Sequence, residues 1–109
     1  RIFLEASTTS PVAMPNFMEI TVEASVFARS SVTQTIELFN YDTMAWEQVD
    51  SRPASRFSDI TVSATPGGDL SRFVEPGTNQ TEVRIRYNSA SPRQQFSCNV
   101  DQIIWTITN

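Results

Sequence analysis

Phe39, Tyr41 and Trp46 fall in one short stretch, around the loop Asp42-Thr43-Met44-Ala45. Flat aromatic faces stack on sugar rings and line ligand grooves in general. In a hairpin the residues that flank the loop face each other across the strands. Tyr41 and Trp46 are therefore expected to form one continuous platform at the edge of the fold. Asn40, Glu47 and Gln48 lie beside them in sequence and would bond sugar hydroxyls. The candidate ligand-binding residues are thus Tyr41, Trp46, Asn40, Glu47 and Gln48. The competing reading is that the rings pack inward or protect a sheet edge, since large aromatics mostly serve cores.

Other chemistry is excluded by composition. The chain has no His and no Lys, and Cys98 is its single cysteine. Without His there is no Ser-His-Asp or Cys-His catalysis and no zinc site of the His-containing types. Without Lys there is no Schiff base and no P-loop. Twelve carboxylates leave one enzymatic route open. A glycosidase needs two of them roughly 5–10 Å apart across a bond, and no sequence pattern here sets up such a pair. The expectation is a protein that is not an enzyme, with no catalytic residues and no cofactor. Asp42, Glu47, Asp50, Asp59 and Asp69 lie in or near loops, where they serve either as solvated turn residues or as oxygen ligands for a structural calcium ion.

The charge balance narrows the partners. Net charge is −4, and all eight basic residues are arginines scattered from Arg1 to Arg93. A nucleic-acid binder needs a basic patch that neutralises several phosphates, so no nucleic acid is expected. No apolar run is long enough to span a membrane, so no membrane partner is expected either. Arg84 and Arg86 project from one face of a strand with Glu82, and Glu19, Glu23 or Glu37 are candidates to oppose them. Asn79-Gln80-Thr81 fits the glycosylation sequon, a short and common pattern.

The elements that must position these groups are strands. Ile20, Val22, Ala24, Val26 and Ala28 alternate with Glu19, Thr21, Glu23 and Ser25, and only Phe27 breaks the polar side. Ile2–Ala6 reads as a short first strand, followed by a loop held extended by Pro11 and Pro15. Residues 32–41 present apolar groups to both sides in their second half, as a central strand does. Ile60, Val62 and Ala64 make another strand. Pro66-Gly67-Gly68-Asp69 is a turn, and Leu70–Val74 is a short strand or a helical turn. Val83, Ile85 and Tyr87 alternate with Glu82, Arg84, Arg86 and Asn88, and 89–93 is a loop containing Pro92. In the last segment Phe96, Cys98 and Val100 share a face, as do Ile103, Trp105 and Ile107, with a bulge or bend at Asp101-Gln102. Cys98 and Trp105 are expected in the core.

The fold class is therefore all-β: a two-sheet antiparallel sandwich of eight or so strands, with a jelly roll favoured over an immunoglobulin-like arrangement. Residues 1–109 make a single domain. Beginning at Arg1 and ending just after an apolar strand, the chain reads as a piece excised from a longer protein.

Three segments in order carry a resemblance: Ile36–Asp42 with Trp46–Arg52, Gly68–Gly77, and Asp101–Thr106. Over about Ile20 to Thr108 the chain resembles a β-sandwich accessory module of large secreted bacterial multidomain proteins, similar in role to carbohydrate-binding modules. The resemblance implies a secreted or cell-surface location, with polysaccharide and other domains of the parent chain as partners. It carries no activity and no functional residues across. The opposing expectation is a structural spacer or assembly domain with no small ligand.

Overall fold

The computed structural model describes residues 2–91 and 93–109. Arg1 and Pro92, which figure in the reading of the scattered cations and of the 89–93 loop, lie outside the described residues. Seven strands and one 3-10 turn follow in order: β1 Ile2–Thr9, β2 Phe17–Phe27, β3 Val32–Asn40, β4 Ala45–Pro53, β5 Ile60–Ala64, the 3-10 turn Leu70–Phe73, β6 Gln80–Ser89 and β7 Ser97–Thr108. Two antiparallel sheets result, one in the order β1-β6-β3-β4 and the other β5-β2-β7. This is the expected two-sheet sandwich.

Strand alternation builds the core. Met18, Ile20, Val22, Ala24 and Val26 of β2 face Ile36 and Leu38 of β3 and Val83, Ile85 and Tyr87 of β6, and all are buried. Each second residue of these strands points the other way. Phe27 follows that rule and stands half in solvent. The buried Tyr87 hydroxyl donates to Gln34 at 2.9 Å, which satisfies both groups inside the sandwich.

Three local outcomes refine the expected elements. The first strand runs on to Thr9, because Ser7, Thr8 and Thr9 pair with Glu82, Thr81 and Gln80 of β6. That polar extension carries no apolar alternation. Leu70–Phe73 is a helical turn. Asp69 caps it, accepting from the Ser71 amide at 3.0 Å, and Leu70 and Phe73 plug the core. The bulge in the last strand is present. Glu23 pairs with Gln102 and Ala24 with Val100, so Asp101 is the extra residue.

Cys98 and Trp105 face inward but are only half-buried, since β7 is an edge strand and the core thins there. Thr81 of the sequon is fully buried in β6. Among the described residues no helix is long and apolar enough to cross a membrane.

Candidate functional site

The register of β3 decides where the aromatic residues point. Ile36 and Leu38 face the core, so Thr35, Glu37 and Phe39 face outward. Phe39 pairs with Trp46 of β4 and Glu37 with Gln48. On the other side Glu37 pairs with Arg84 of β6 and Thr35 with Arg86. One outer sheet face thus carries Phe39, Trp46, Gln48, Glu37, Arg84 and Arg86 together.

The rings on this face touch. Phe39 and Trp46 meet edge to face with centroids 5.3 Å apart, and Phe39 and Tyr41 do the same at 4.9 Å. Tyr41 lies in the loop and its hydroxyl donates to Glu82 at 2.8 Å. Burial, and then the Glu82 carboxylate, push its phenol well above the ordinary value. The Arg84 guanidinium carbon sits 4.5 Å from the Trp46 ring centroid. Arg84 also donates to Glu37 at 2.8 Å, while Arg86 lies 3.7 Å from the same carboxylate. Glu37, not Glu19 or Glu23, is the carboxylate that opposes the two arginines, because β2 belongs to the other sheet.

The hairpin register corrects one expectation. Trp46 faces Phe39, and Asn40 faces Ala45, so the loop proper is 41–44 and Tyr41 does not sit across from Trp46. The two rings communicate through Phe39 instead. Period two also separates the five candidate residues. Tyr41, Trp46 and Gln48 belong to the outer face. Asn40 and Glu47 belong to the opposite one and are engaged there. Asn40 is buried, and its side-chain oxygen accepts from the Asp42 and Thr43 amides at 2.8 and 3.0 Å, which shapes the turn. Its amide donates to Glu47 at 3.1 Å. Glu47 in turn takes a two-pronged ion pair from Arg72, at 3.1 and 2.8 Å. That pair holds the Glu47 carboxyl below its usual value. The Tyr41 amide donates to the Arg72 carbonyl at 2.7 Å, so the hairpin is clamped to the 3-10 turn.

Sequence reasoning left Arg84, Glu37 and Phe39 out of the candidate set. The signal for them was the odd-even parity of β3 and β6, which places Phe39 with Glu37 and Arg84 with Glu82.

A separate group of oxygens lies on the outer face of the other sheet. Glu23, Asp59 and Asp101 bring their carboxylates within 4.8 Å of one another. The β7 bulge places Asp101 there. Its carboxyl is raised by the hydrogen bond to Asp59, then by burial and like charge, while Asp59 is held down by that contact and by the Ser25 hydroxyl. Of the loop residues considered for calcium, Asp59 alone belongs to this group. Asp50 pairs with Arg52 at 2.8 Å, Glu47 with Arg72, and Asp69 caps the 3-10 turn.

Comparison with protein-family models, with curated proteins and with solved structures finds no match to this chain. The functional reading therefore rests on the geometry of the molecule.

Proposed function

We propose that this chain is a non-catalytic accessory module of a larger extracellular protein, and that it binds polysaccharide on the outer face of its four-stranded sheet. The observation that carries the reading is the direction of the rings. Phe39, Tyr41 and Trp46 form a contiguous aromatic strip on the face turned away from the core. Packing of the interior does not account for them. Gln48, Glu82, Arg84 and Arg86 ring the strip with groups that bond hydroxyls or carboxylates. In finer class we keep the jelly roll ahead of the immunoglobulin-like arrangement: β1 pairs with β6 and β7 with β2, whereas an immunoglobulin sandwich sets its first strand beside the second and its last beside the sixth.

A second reading has its own observation. Arg84 covers one face of the Trp46 ring. A ring capped by a cation and flanked by Phe39 can also serve simply to seal the sheet surface of a spacer domain.

Retention of the domain on insoluble or gel-embedded polysaccharides separates the two readings. If the strip binds sugar, the unmutated domain is retarded by at least one glycan and Trp46→Ala abolishes the retardation. The stability lost should stay well below the ~3–5 kcal/mol of a core aromatic. Free passage of the unmutated domain through every glycan would favour the spacer.

A further inference from the structure

One end of the sandwich differs from the rest in charge and in surface. There the turn 28–31, the crossing segment 54–59 and residues 93–96 come together. Gln94 ties them, its side-chain oxygen accepting from the Arg29 and Ser30 amides at 2.6 and 2.8 Å while its amide donates to Ser89 at 2.6 Å. Arg56 donates to the Arg29 carbonyl at 3.2 Å.

Every other described arginine holds a carboxylate. Arg52, Arg72, Arg84 and Arg86 are all ion-paired, and among the described residues Arg29, Arg56 and Arg93 hold none. Asp59, the acid of the crossing segment, is turned to Asp101 and Ser25. An acidic protein thus concentrates its uncompensated positive charge at one end. Two hollows open between these cations. One, of about 540 Å³, is lined by Arg29 and Arg93, and the other, of about 430 Å³, by Arg29, Arg56, Phe27 and Phe57. Arg29 and Gln95 border both, so the hollows adjoin.

The apolar wall is held open by the backbone. Phe57 has φ of 74°, the left-handed region that a bulky side chain avoids. Its amide donates to the Val26 carbonyl at 2.8 Å, and the Val26 amide to Ser55 at 2.8 Å, which pins the segment to β2. The ring is nevertheless 62% exposed, beside Phe27 at 50%. Strain that displays an aromatic ring to solvent does nothing for the core, and such strain collects at binding sites.

We propose that this end binds a short acidic peptide segment, one that lays an apolar side chain against the exposed Phe27–Phe57 pair and sets carboxylates against Arg29, Arg56 and Arg93. The geometry favours peptide over a charged glycan. The two rings touch, tilted by 59° with centroids 6.0 Å apart, and so present a ridged apolar surface rather than a flat bed for a sugar. The extent of the charge favours a short segment over a long polyanion. Fields are screened over about 8 Å at physiological salt, the molecule is 43 Å long, and the chain as a whole carries −4. This surface shares no residue with the aromatic strip, so its occupancy is independent of sugar binding.

The test uses a blocked, fluorescently labelled peptide with one phenylalanine flanked on each side by two glutamates. Its glutamine counterpart and a galacturonate oligomer of equal charge are the comparison probes. The acidic peptide should bind with an affinity that falls as salt rises. Replacing its glutamates by glutamine, or Arg56 and Arg93 by glutamine in the protein, should weaken it about tenfold or more. Phe57→Gly keeps the left-handed backbone at no steric cost. It should leave the melting temperature unchanged or raised while removing peptide binding. Absence of binding, equal binding of the glutamine peptide, tighter binding of the galacturonate, or full binding by Phe57→Gly would each overturn the proposal.

Discussion

The Arg84 guanidinium carbon sits over the Trp46 ring, and the contact spans β3, since the two residues sit on the strands that flank it. The same guanidinium donates to Glu37, so one cation serves a ring and a carboxylate at once. Arg84→Gln should cost about 1–3 kcal/mol, the scale for losing a charge-assisted hydrogen bond at a partly buried site. Glu37 would be left with only the longer Arg86 contact. Urea denaturation and the emission of Trp46, which should shift to the red, check this. A coupling near zero between Arg84→Gln and Glu37→Gln in a double-mutant cycle would show that the pair contributes nothing.

The hairpin clamp makes acid sensitivity local. Glu47 has its carboxyl lowered in the folded state, first by the Arg72 hydrogen bonds. A lowered carboxyl stabilises the fold above the ordinary carboxylate value, and that contribution is lost as pH falls through the folded value. Glu47→Gln should therefore flatten the acid limb of the stability curve while leaving the slope near neutrality unchanged. Its side chain is more than a third exposed, so the effect is modest. Denaturation midpoints from neutral to acidic pH, compared for the two proteins, read it directly. Identical acid limbs would show that the ion pair is idle.

Thr81 is fully buried and its hydroxyl finds no partner among the described residues. An unpaired buried hydroxyl costs about 1–3 kcal/mol. Thr81→Val keeps the β-branched shape and removes the polar atom, and it should raise stability by about 1 kcal/mol. A fall in the urea midpoint would mean that the hydroxyl is bonded to an internal water.

Cys98 faces Val26 across the β2–β7 pair, and burial pushes its thiol up. A thiol with less thiolate reacts slowly. In native protein at neutral pH it should label slowly with a thiol reagent, and labelling should accelerate sharply on unfolding. Equal rates in the two states would place the sulfur in free solvent.

Alternation made most of the sandwich readable from the chain. Ile20, Val22, Ala24, Val26 and Ala28 line the core as their spacing requires, and the break at Asp101 is the bulge. The doubly covered second half of β3 matches its central place. Parity reads a single strand well and says nothing about partners. Glu19, Glu23 and Glu37 are equivalent as sequence, and only the sheet order selects Glu37 for Arg84. The hairpin shows the same limit. A loop boundary off by one residue put Tyr41 in the place of Phe39, and nearness along the chain grouped Asn40 and Glu47 with rings on the opposite face. The tilted pair Phe27 and Phe57 joins the end of β2 to the crossing segment, and no local pattern announces it.

The Asp101 bulge has a consequence beyond the carboxylates it gathers. Among the described residues β7 pairs with β2 alone, so the other side of Ser97–Thr108 is an open edge on which the strands of a second molecule could lay down. Open edges of this length template aggregation. A bulge breaks the straight run of donors and acceptors and increases the local twist, and here it also places a negative charge at the interruption. Removing Asp101 altogether would leave Gln102 opposite Glu23 and Val100 opposite Ala24, with every inward side chain still inward. The core does not need this residue; what its loss would create is a smooth, adhesive rim.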